Sequence, residues 1–61
     1  MKVNNLIAIH YEALELTMLT RELMAYEISP PSNEHMQWKF DEYTERAERL
    51  IRAIKSGYIT E

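Results

Sequence analysis

The sequence predicts an all-α fold: an antiparallel two-helix hairpin that dimerises into a four-helix bundle. Three observations carry that expectation. Apolar residues recur three and four apart along two stretches of similar length. The only two prolines, Pro30 and Pro31, stand together between those stretches, where they cannot continue a helix and hold the preceding residues extended. Glycine occurs once and cysteine not at all, which argues against a many-turned β fold and removes disulfides and thiolate zinc as staples. With 46% hydrophobic and 28% charged residues, the balance is that of a globular chain. Sixty-one residues form a single domain, 1–61. A chain this short buries only about 60% of its unfolded surface, so helix packing or oligomerisation must hold it together.

The first helix is expected over about residues 5–27, capped by Asn4 or Asn5. The linker covers 28–32. The second helix is expected over about 33–56, with Ser32 or Asn33 accepting a backbone N–H at its start. Glu34 in its first turn and Lys55 in its last have the signs that the helix dipole favours. Gly57 stands where a left-handed residue would close the helix. Residues 58–61 read as a frayed tail, with Tyr58 and Ile59 able to fold back onto a helix end.

The second helix carries one apolar seam: Met36, Phe40, Tyr43, Ala47, Leu50 and Ile54, alternately four and three apart. Its remaining surface is charged, and Glu42–Arg46, Glu45–Arg49 and Glu48–Arg52 have the spacing of helical ion pairs. The first helix differs. Ile7, Tyr11, Leu14, Met18, Ala25 and Ile28 form one seam, with Arg21 in the gap. Ile9, Ala13, Leu16 and Leu23, with Thr20 between, form another. Between Leu6 and Ile28, 15 of 23 residues are hydrophobic, against 9 of 23 between Glu34 and Ser56. A helix apolar on two sides is normally covered on two sides. Ile7, Tyr11, Leu14 and Met18 are therefore assigned to packing within the hairpin. Ile9, Ala13, Leu16 and Leu23 are assigned to a dimer interface, although the spacing alone leaves the two seams interchangeable.

Little in the sequence points to chemistry. His10 and His35 fall at opposite ends of the hairpin, and neither has a His, Asp or Glu three or four residues further along its helix. Asp41, Glu45 and Glu48 share a face with basic partners at hand, and the Glu-x-x-His pattern of di-metal bundles is absent. The serines, at 29, 32 and 56, lack the glycines of a nucleophile elbow. No catalytic residue, metal site or cofactor is assigned, and the chain is read as non-enzymatic. Arg46, Arg49, Arg52 and Lys55 recur every third residue as a candidate nucleic-acid stripe, locally offset by Glu42, Glu45 and Glu48. Trp38 lies away from the seam. With Tyr26 near the same end of the hairpin, it forms a candidate contact surface for another protein.

In length and hairpin form alone, the chain looks like the plasmid copy-number regulators built as dimers of helical hairpins. It is similar in size to the two-helix sporulation phosphatases of bacilli. Their Ser-Gln-Glu-Leu-Asp motif is absent here, where the stretch reads Lys39-Phe40-Asp41-Glu42-Tyr43. The expectation is a cytoplasmic homodimer that binds another protein as a regulator or inhibitor, of the kind carried by phages and plasmids. Two alternatives stand beside it: a nucleic-acid-binding dimer, and a subunit that folds only within a hetero-oligomer. The net charge of −3 counts against nucleic acid and anionic membranes. The four-residue apolar run Leu6-Ile7-Ala8-Ile9 is too short for a signal sequence or a membrane span.

Overall fold

The computed structural model describes residues 2–59, with side-chain surroundings from 3 to 57. Two helices, α1 (Leu6–Tyr26) and α2 (Asn33–Gly57), pack against each other as an antiparallel hairpin. A two-residue strand β1 (Lys2–Val3) pairs antiparallel with β2 (Tyr58–Ile59) at the open end. Residues 58 and 59 of the expected frayed tail are thus paired through their backbone, and residues 60 and 61 lie outside the described part.

The helix ends follow from local chemistry. Pro30 and Pro31 stop α1, whose last turn closes through Ile28 N–H and Ser29 N–H on the Ala25 carbonyl. Ser32 then caps α2, its Oγ accepting from the His35 N–H at 3.3 Å. Asn5 precedes α1 in the left-handed region, at φ 61°, and its side chain makes no capping bond. It serves as the corner between β1 and α1, a conformation that asparagine tolerates better than most residues. The expectation for Gly57 needs correcting, because it does not have positive φ. A Cβ there would lie 2.5 Å from the Asn4 carbonyl oxygen and 2.9 Å from Ile9 Cδ1. Glycine lets the chain ends approach closely enough for Asn4 N–H to bond the Gly57 carbonyl at 2.9 Å.

The register is regular. Glu22 meets Lys39, Glu15 meets Arg46, Tyr26 meets His35 and Asn4 meets Gly57. The numbers in each of these pairs sum to 61. Midway, Thr20 donates its hydroxyl to the Leu16 carbonyl at 2.8 Å. Its single proton is then committed, so Tyr43 donates across to Thr20 Oγ1 at 2.8 Å.

This packing reverses the expected seams. Ile9, Leu16 and Leu23 are half-buried between α1 and α2 rather than on an outward face, and Ala13, also half-buried, lies at the edge of that seam. Ile7, Tyr11, Leu14 and Met18 point outward, Ile7 being 76% exposed. Two features of the inner seam decide the choice. Thr20 belongs to it and bonds Tyr43, and Ile9 fits against the bare backbone of Gly57. On α2, Met36, Tyr43, Ala47 and Leu50 pack inward as expected, while Phe40 and Ile54 turn to the side and are about half exposed.

The result is a rod of 48 × 15 × 13 Å with a radius of gyration of 14.6 Å. A compact chain of this length would have about 10.5 Å. Among the described residues only Leu19 is a buried hydrophobic side chain, at 9% exposure. No helix is long and apolar enough to cross a membrane among those residues.

Candidate functional site

The two lateral sides of the hairpin differ in chemistry. One side is polar and tied by ions. Lys39 Nζ donates to Glu22 Oε2 at 2.9 Å and lies 3.8 Å from Glu42. Arg46 pairs with Glu15 across the helices. The expected ladder within α2, Glu42–Arg46, Glu45–Arg49 and Glu48–Arg52, does not form among the described residues. Arg46 reaches over to α1 instead, which links the helices as well as neutralising charge. Leu19 and Met18 line a hollow walled by Glu15, Glu22, Glu42 and Arg46, so long polar side chains border the most buried apolar group. The Glu22 carboxylate, hydrogen-bonded to Lys39, holds that lysine above its ordinary 10.5.

At the linker end, the sequence-predicted pair Tyr26 and Trp38 is joined through a residue that sequence reasoning passed over. His35 Nε2 and the Tyr26 hydroxyl are hydrogen-bonded at 2.9 Å. The His35 ring stands 5.6 Å from the Trp38 ring, tilted at 60°. Lys39 Nζ sits 5.1 Å from the Trp38 centroid, within cation–π range. Trp38 nevertheless remains 57% exposed. The available signal was positional: Tyr26 and His35 flank the linker at equal distance from the turn of an antiparallel hairpin.

The other side is apolar. Thr20, Leu23 and Met24 from α1 and Met36, Phe40 and Tyr43 from α2 enclose an open groove of about 360 Å³ next to the linker end. Farther along the same side, Ile51 and Ile54 stand about half exposed.

The basic stripe does not present a single face. Arg46 is engaged by Glu15. Arg49, Arg52 and Lys55 are exposed, but at about 100° per residue they wind around the outside of α2. His10 is exposed and stacks edge-on with Tyr11 at 5.6 Å. Among the described residues no three His, Asp or Glu side chains are grouped to hold a metal. Comparison with protein-family models, curated proteins and solved structures finds no match to this chain.

Proposed function

We propose that this chain is a small, non-enzymatic protein-binding module that works as a homodimer and regulates a larger protein. One observation carries the reading. Among the described residues, twelve large hydrophobic side chains are about half or more exposed, against one that is buried. A soluble chain rarely leaves so much apolar surface open unless association covers it. The linker-end cluster supplies the contact for the second protein. Trp38 offers a large rigid ring at small entropic cost, with the His35 ring and the Lys39 ammonium beside it. The exposed stripe of α1 with Ile7, Tyr11, Leu14 and Met18 extends the surface open to that protein.

Trp38 is also the only tryptophan, so its fluorescence reports directly on the cluster. A partner isolated with the wild-type chain and then purified is expected to shift Trp38 emission in titration. In competition with labelled wild type, Trp38→Ala is expected to bind at least about tenfold more weakly. Its helicity and molecular mass should be unchanged. If Trp38→Ala loses helicity, the ring is a structural element of the hairpin and the contact surface lies elsewhere.

A further inference from the structure

We infer that the apolar lateral side of the hairpin, the side bearing Phe40 and Ile51, is the self-association face, and that it receives a second copy running in the opposite direction. The inference rests on the homodimer reading and adds the face and the orientation.

Each helix brings a second seam to this side. On α2 it is Phe40, Thr44, Ala47, Ile51 and Ile54, alternately four and three apart. On α1 it is Leu6, His10, Ala13, Thr17, Thr20 and Met24, with the same spacing; the half-buried Ala13 and Thr20, like Ala47 on α2, stand at the edge that this side shares with the helix–helix seam. Met24 and Phe40 line one groove, so the two seams lie on the same side of the hairpin. The ion pairs Glu22–Lys39 and Glu15–Arg46 hold the other side in water.

The area is right for a second copy. The chain exposes 4990 Å², whereas a compact protein of its 7.3 kDa mass would expose about 4,200 Å². The excess of about 800 Å², spread over the whole rod, is of the size that one partner contributes to a standard protein–protein interface. Covering the middle of the face would strand no hydroxyl. Thr17 Oγ1 donates to the Ala13 carbonyl at 3.0 Å, and Thr44 Oγ1 to the Phe40 carbonyl at 2.9 Å. Both threonines therefore already have an acceptor within their own helix.

Shape sets the direction. The groove lies at the linker end, and the Ile51 and Ile54 side chains stand out toward the open end. A two-fold axis perpendicular to the helices, through the middle of the face, places Ile51 of each copy level with Phe40 of the other. It also places Leu6 level with Met24 and fills both grooves at once. A copy running the same way would set groove against groove and leave both empty. Thr44 lies next to the midpoint of α2 (Asn33–Gly57), so in the antiparallel pair it is level with Ala47 of the other copy and about 4.5 Å along the helix from its own counterpart, within reach of a disulfide.

The chain has no cysteine, which makes engineered disulfides unambiguous. The test combines light scattering, circular dichroism and mild oxidation. Wild type and Met18→Glu, altered on the outer stripe of α1, are expected at twice the chain mass. Ile51→Glu is expected at the mass of one chain, and Thr44→Cys is expected to oxidise to a covalent dimer with wild-type helicity. A dimeric Ile51→Glu beside a monomeric Met18→Glu would overturn the face while leaving the dimer reading in place. A mixed disulfide between Thr17→Cys and Thr44→Cys chains, with none in Thr44→Cys alone, would overturn the orientation. A monomeric wild type would overturn the dimer reading itself. Because the covalent dimer is read in an otherwise native chain, a misfolded Ile51→Glu would not decide the question.

Discussion

Glu12 sits half-buried on the α2-facing side of α1, and one of its carboxylate oxygens is enclosed without a hydrogen-bond partner. Enclosing a polar atom that makes no bond costs free energy that an apolar side chain of similar length would not incur. Glu12→Met is therefore expected to raise stability by about 1 kcal/mol, which for a domain of this size is about 4–8 °C in Tm. Thermal melts at fixed chain concentration check it, since a dimer's Tm moves with concentration. A fall in Tm would show that the carboxylate is solvated and contributes to the fold. Some single residues could be read from the sequence. Pro30 and Pro31 place the turn because their rings exclude a helix, and Ser32 caps because its hydroxyl reaches the His35 N–H. Others could not. Leu19 belongs to neither apolar seam by spacing, and it is bordered by acidic and basic side chains that periodicity counts as solvent-facing. The role of Gly57 depends on Asn4, 53 positions away.

At the scale of the helices, α2 was legible and α1 only half so. A single stripe can face only one way, and Met36, Tyr43 and Leu50 do pack on α1. The two stripes of α1 have equivalent spacing, so spacing could not rank them. The Tyr43–Thr20 bond and the close approach at Gly57 did. Lys39 ties the helices together, and its pH dependence follows from its position. Its hydrogen bond to Glu22 raises its folded value above 10.5, attraction to Glu22, Glu42 and Tyr26 adds to this, and partial burial opposes it. A raised lysine contributes stability that is fully present below its unfolded value and is lost as pH climbs through the folded one. The difference in urea midpoint between wild type and Lys39→Met should thus be flat from about pH 6 to about pH 9 and shrink above about 10.5. A difference that shrinks between pH 6 and 9 would assign the effect to another group.

At the scale of the molecule, the hairpin is a rod whose two helices cover one side of each other and little more. Its length of 48 Å and width of 15 Å leave almost no interior, and among the described residues one buried hydrophobic side chain makes only a minimal core. The sequence already carried that shortage in the two-sided apolarity of α1. It did not show that part of the unmet surface lies on α2, where Phe40, Ile51 and Ile54 turn sideways. The proposed association is tested most directly by light scattering behind size exclusion across a dilution series, with circular dichroism on the same fractions. The expected result is a helical species at twice 7.3 kDa that persists to low-micromolar concentration and loses helicity as it dissociates. A fully helical species at the mass of one chain throughout the series would contradict it.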